Sequence, residues 1–148
     1  MNAVRLQRVI PAAPAQVYRA WLDPGLLARW LAPGDPADVR AEVDERAGGH
    51  FRIFTADGGG FDAKLLELVT DRRLVFRWGF VGPARRDGPT FDSLLTITFD
   101  SVEGGTLLTL VHERLDALAA AMPEVAGQVE TGWGRALDNL SNLAEVRL

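Results

Sequence analysis

Apolar residues in this chain follow two spacings, and the change from one to the other divides it. Between Val39 and His112 they recur at every second position in short runs: Val39–Asp44, His50–Thr55, Phe61–Val69, Leu74–Phe80, Phe91–Phe99 and Thr106–His112. Period two sends successive side chains to opposite faces of a strand. Gly48-Gly49, Asp57-Gly58-Gly59-Gly60, Thr70-Asp71-Arg72-Arg73 and Gly104-Gly105 fall between runs and read as turns, glycine supplying positive φ where hairpins need it. An earlier run, Val4 to Ile10, sets Val4 and Leu6 against Arg5 and Gln7 and stops at Pro11. It predicts a first strand.

From Pro123 to Arg147 the spacing becomes three and four. Val129, Trp133, Leu137, Leu140 and Leu143/Ala144 share one helical face, and Glu124, Gln128, Thr131, Arg135, Asp138, Asn142 and Glu145 take much of the other. Pro123 suits the first turn, where a missing N–H costs nothing. The pattern predicts one helix of roughly 37 Å, long enough to need a broad apolar surface beneath it. Gly132 and Gly134 flank Trp133, each costing about 1 kcal/mol against alanine in a helix interior. That cost predicts close approach of the backbone to a strand or a bound molecule.

Ala12 to Trp30 is also helical in pattern, with Pro14 at a start and Val17, Tyr18 and Trp21 at core-facing spacing. Asp23-Pro24-Gly25 breaks this run into two short helices, the second turning Leu26, Leu27 and Trp30 inward. Ala32 to Pro36 is a loop, and Leu115 to Met122 a short helical turn. Val81 to Thr90 is the longest connection within the strand region and carries Arg85-Arg86; long loops of this kind often serve as lids or binding loops. No repeat, low-complexity tract or linker divides residues 1–148, so one domain is expected. The order is one strand, two short helices, six antiparallel strands and a long helix. It predicts an α+β fold, a seven-stranded antiparallel sheet curled around its C-terminal helix. Phe51, Phe61, Phe76, Trp78, Phe91 and Phe99 recur along that sheet, where they either fill the space under the helix or line a cavity.

Composition narrows the function classes. A net charge of −4 and a pI near 5.1 argue against nucleic acid, which wants a basic face. Cysteine is absent, which removes disulfides, thiolate catalysis and zinc–thiolate sites. No apolar run reaches membrane-spanning length, and the first residues lack the apolar core of a signal peptide; a cytoplasmic protein without membrane association is expected.

Several stretches, taken together and in order, resemble a known family. Pro14-Ala15-Gln16-Val17-Tyr18-Arg19-Ala20-Trp21-Leu22-Asp23-Pro24 resembles its first-helix signature, with Trp30 where the family places a Trp. Gly48-Gly49-His50-Phe51 is similar to its Gly-Gly-x-Phe hairpin, and Arg73-Leu74-Val75-Phe76-Arg77-Trp78 to its central strand. Gly105 to His112 resembles its last strand, and Gly132-Trp133 with Leu137 and Leu140 its closing helix. The family is the START-like (SRPBCC), helix-grip superfamily, and within it the group named after the activator of Hsp90 ATPase homologue 1. The resemblance implies a hydrophobic cavity between helix and sheet. Members of the superfamily include lipid and polyketide binders, cyclases, self-sacrificing resistance proteins and chaperone cofactors, so a shared fold does not fix a function.

Candidate chemistry is sparse. Period two puts His112 on the core face with Leu108 and Leu110, where it could meet a ligand or act as a base, or simply bond a neighbouring strand or helix. His50 follows two glycines in a turn and reads as solvated. Two histidines without carboxylates nearby make a poor metal site, so no metal and no cofactor are expected. Glu67 lies among apolar residues; it either points inward, toward Arg77 or Arg52, or forms an outward salt bridge. Arg85-Arg86 could meet an anion, though loop arginines are more often solvated. Gly58-Gly59-Gly60 lacks the Lys-Ser/Thr of a phosphate loop, and no Gly-x-Ser-x-Gly elbow is present.

The tryptophans offer large apolar surfaces with one N–H each. Trp21 reads as core, whereas Trp78 and Trp133 suit pocket and core equally. The first reading is a binding module for a small hydrophobic or amphipathic molecule, contacted by Trp30, Phe51, Phe61, Phe76, Trp78, Phe91, Leu95, His112, Trp133 and Leu137. The second is a protein-interaction module with a chaperone partner, as the family's name implies. The third is a cyclase- or hydrolase-like enzyme using His112 or Glu67. An exposed sheet edge or aromatic loop also leaves a homodimer open.

Overall fold

A computed structural model describes residues 3–31, 38–54, 60–81, 91–121 and 123–147. Strand β1 (Val4–Ile10) is followed by helices α1 (Pro14–Ala20) and α2 (Pro24–Trp30). Strands β2 (Arg40–Val43), β3 (His50–Phe54), β4 (Gly60–Val69), β5 (Arg73–Val81), β6 (Phe91–Val102) and β7 (Gly105–Glu113) come next. Helices α3 (Asp116–Ala121), α4 (Pro123–Ala126) and α5 (Val129–Arg147) end the chain. The strands form one antiparallel sheet in the order β1-β7-β6-β5-β4-β3-β2. The α+β architecture is the one the alternating runs predict. Each hairpin joins neighbours, and only β1 crosses over to pair with the last strand.

That crossover is locked by local chemistry. Gly105 opens β7 at φ 141°, and a Cβ there would stand 2.1 Å from the Ile10 carbonyl oxygen. Only glycine lets β7 start this close to β1. Beside it the buried Thr106 hydroxyl donates to the Ala12 carbonyl at 2.7 Å, fixing the exit from β1. Pro14 then starts α1, and the Asp23 side chain caps α2 by accepting from the Gly25 and Leu26 N–H groups at 2.8 and 3.2 Å.

Strand β4 departs from strict alternation. Leu65 pairs with Phe76 but Glu67 pairs with Val75, so Leu66 is an extra residue, a β-bulge. Were the bulge absent and strict alternation kept through Leu66, Glu67 would fall on the core face behind Ala63 and Leu65. With it, Leu66 is 45% exposed, and the half-exposed Glu67 ion-pairs with Arg73. The outward salt bridge is therefore the right alternative for Glu67, with a different arginine from those expected. Arg77 and Arg52 instead pair with Asp92 and Asp62, at 3.6 and 3.2 Å.

The expected single C-terminal helix is interrupted. The Gly127 N–H closes α4 on the Pro123 carbonyl at 2.9 Å, and the Gly132 N–H closes the first turn of α5 on Gln128 at 2.8 Å. Gly127, freest of residues in backbone conformation, sits at this break. The remaining helix, 19 residues and roughly 28 Å long, presents Val129, Trp133, Ala136, Leu137, Leu140 and Ala144 to the core. It lies against β1 and α2. Among the described residues, no helix is long and apolar enough to cross a membrane.

The close approach expected at Gly132 and Gly134 is not found. A Cβ on Gly132 would meet nothing within 4 Å, and one on Gly134 would meet only the Arg8 guanidinium at 3.6 Å. Gly132→Ala is therefore expected to stabilise the fold by about 1 kcal/mol, by restricting the unfolded chain at no steric cost. Thermal unfolding checks this, as a rise in Tm of roughly 2–4 °C. A fall would show that the helix needs a glycine there after all.

Candidate functional site

Beneath α5 the sheet's inner face is a wall of aromatic rings. Strand β3 contributes Phe51, β4 Phe61, and β5 Phe76 and Trp78; α5 lowers Trp133 onto them. Trp78 is the hub. Its ring centroid lies 5.0 Å from Phe61, 5.7 Å from Phe51 and Phe76, 5.3 Å from Trp133 and 6.4 Å from His112. On the two flanking strands its partners are the small residues Ala63 and Ser93, which leaves the indole standing above its neighbours. Trp21 extends the cluster from the end of α1, packing on Trp30 at 4.8 Å, Trp133 at 5.9 Å and Phe76 at 6.1 Å.

A polar chain runs through this apolar surrounding. The Trp133 indole N–H donates to His112 Nδ1 at 3.0 Å, while His112 Nε2 lies 2.6 Å from Ser93 Oγ. An indole nitrogen can only donate, so Nδ1 must accept and the ring proton sits on Nε2. Nε2–H then donates to Ser93 Oγ, and the serine hydroxyl donates to the Trp78 carbonyl at 3.0 Å. One directed chain thus ties α5 through β7 and β6 to β5. His112 is fully buried, and burial pushes its pKa down to about 4, so the imidazole is neutral at physiological pH.

This tautomer constrains the chemistry. A histidine activating a serine needs its proton on Nδ1 and a lone pair at Nε2 facing the hydroxyl. Here Trp133 imposes the reverse, and Ser93 receives a hydrogen bond from the imidazole. The chain orders the site; it does not prime a nucleophile.

Other expected site residues are placed as follows. Leu95 is fully buried on β6, paired with Phe76 and His112. Leu137 is fully buried a turn beyond Trp133. Trp30 is reached through Trp21, and its indole N–H donates to the Ala20 carbonyl at 3.1 Å. The side chain of Phe91 and the pair Arg85-Arg86 lie outside the described residues. His50 opens β3, where the alternating run begins, and is half-buried rather than fully solvated. His112 is on the core face, as its spacing predicts, fully buried and bonded to both a strand and the helix. Glu67 is outside the site altogether.

Two participants are new. Ser93 breaks the inward series Ser93, Leu95, Ile97, Phe99 with a hydroxyl, a signal visible in the alternation itself. Trp21 is core, as expected, yet it is also the contact between Trp30 and the rest of the cluster. Among the described residues, Trp21 Nε1 and Trp78 Nε1 are the buried side-chain polar atoms without a hydrogen-bond partner. No three His, Asp or Glu side chains among those residues gather where a metal ion could be held.

The fold has many solved counterparts. Protein CV1439 from Chromobacterium violaceum is 32% identical with a TM-score of 0.74, the match covering 97% of each chain. Protein MLL2253 from Mesorhizobium loti is 24% identical with a TM-score of 0.77, covering 99% of this chain and 98% of that one. Protein Ms6760 from Mycobacterium smegmatis is 21% identical with a TM-score of 0.71, covering 99% and 92%. No curated protein sequence matches the chain. The family described as "Activator of Hsp90 ATPase homolog 1-like protein" matches residues 11–145, nearly the whole length. With the helix-grip arrangement of sheet and α5 in place, the chain belongs to that family.

Proposed function

We propose that this protein binds a small hydrophobic or amphipathic molecule between the inner face of the sheet and α5. The observation that carries this reading is the pair of indole N–H groups at Trp78 and Trp21, buried without a protein acceptor in an aromatic cluster. A buried donor left unmatched costs about 1–3 kcal/mol, and a core selected only for stability has an easy remedy in phenylalanine. Two such donors packed against the same rings, Trp133 and Phe76, are accounted for by a guest that supplies acceptors. Trp21, Phe76 and Trp78 are fully buried, so the guest enters by displacing rings. The natural place to part is where α5 rests on the sheet.

Native mass spectrometry of protein purified from its own host tests this against the denatured chain. A retained mass, lost on denaturation, is the expected result. Added ligand at a hundredfold excess over its Kd should stabilise by about 2.7 kcal/mol, raising Tm by roughly 5–10 °C. Apo protein that shows no shift with fatty acids, aromatic polyketides or sterols would count against the reading.

A further inference from the structure

The hydrogen-bonding character of the buried cluster is one-sided. Both orphan atoms are donors. The side-chain acceptors that could have served a guest are already engaged: His112 Nδ1 by Trp133, and Ser93 Oγ by the imidazole. The buried polar side chains among the described residues are Ser93, Thr106 and His112, with no arginine or lysine. Arg8, on the inner face of β1, reaches α5 but is partly exposed and pairs with Asp138 at 3.4 Å. A carboxylate brought into this surrounding would find no buried counter-charge among the described residues and would lose its hydration. His112 cannot supply one cheaply, since a second ring proton would face the Trp133 N–H.

From this, and resting on the binding reading above, we infer that the guest is a neutral, flat, apolar molecule whose carbonyl oxygen accepts from Trp78 Nε1–H, and that acidic lipids such as fatty acids are excluded. The flanking Ala63 and Ser93 leave the Trp78 ring as the raised feature of the sheet's inner face. Phe51, Phe61, Phe76 and Trp133 surround it with aromatic faces and edges suited to a planar guest. Trp21, packed against the same Trp133 and Phe76 rings as Trp78, provides a second unmatched donor, which a molecule with a second carbonyl would satisfy.

Three probes of the same ring and nearly the same size separate these terms: acetonaphthone, ethylnaphthalene and naphthoate, titrated into the full chain by calorimetry. The wild type should bind the ketone roughly tenfold tighter than the hydrocarbon, the effect of matching one buried orphan donor, and naphthoate most weakly. Trp78→Phe should abolish the preference for the ketone while retaining affinity for ethylnaphthalene, with its near-UV circular dichroism confirming the fold. Equal binding of ketone and hydrocarbon by the wild type, or naphthoate binding tightest, would overturn the inference and leave the binding reading standing. A ketone preference that survives in Trp78→Phe would overturn the assignment to Trp78. Failure of all three probes to bind would overturn both readings. The wild-type comparison decides the ligand class even if the variant does not fold.

Discussion

Trp78→Ala is expected to cost about 3–5 kcal/mol of folding stability, a large fraction of what a domain of this size has to lose. The indole is 0% exposed and touches five other rings, so its removal strips dispersion contacts from β3, β4, β5, β7 and α5 together. Trp78→Phe should cost far less, because the smaller cavity is offset by removal of an unmatched donor. Urea unfolding followed by far-UV circular dichroism measures both, and the midpoint should fall with little change in m. The result also bears on the site. A loss of less than about 1 kcal/mol in Trp78→Ala would mean that the indole borders space able to collapse, and is not a keystone of the packing.

Acidification is expected to weaken the fold through His112 by about 3 kcal/mol between pH 6.5 and 4. The sign follows from which state binds the proton first. In the unfolded chain the imidazole titrates near 6.5, whereas in the native core burial holds it near 4. Between these values the unfolded state carries the extra proton, so stability is complete above pH 6.5, falls as pH drops toward 4, and then levels off. Carboxylates contribute their own slope at the acid end, so the measurement is a difference. Unfolding free energies for wild type and His112→Gln, compared across pH 4–7, isolate the histidine. Glutamine can accept from Trp133 and donate to Ser93 but does not titrate here. Parallel curves for the two proteins would refute the assignment.

Much of this architecture was legible because the alternating runs are long and their turns contain glycine. The strands are where period two places them, and Asp23-Pro24-Gly25 divides the early helices as its residue types require. The candidate site was legible only as a set of inward aromatics and one inward histidine. Its connectivity was not. That Trp133 donates to His112, and thereby sets the tautomer, depends on how α5 crosses the end of β7, a contact between residues 21 positions apart. Two other features escaped for local reasons. An alternation count has no way to register the unpaired Leu66, so it leaves open which face Glu67 takes. Helical spacing continues smoothly through Gly127, although the chain does not.

The extra residue in β4 has a consequence for how chains of this kind can change length. A one-residue deletion inside a paired strand ordinarily reverses every side chain beyond it. Removing Leu66 would do the opposite, because Leu65, Glu67 and Leu68 already face Phe76, Val75 and Leu74 in the order an uninterrupted ladder would give. The deletion would relax the local coiling that a bulge imparts, while leaving every core assignment intact. Position 66 is thus where β4 can shorten by one residue between related chains without its core being redesigned.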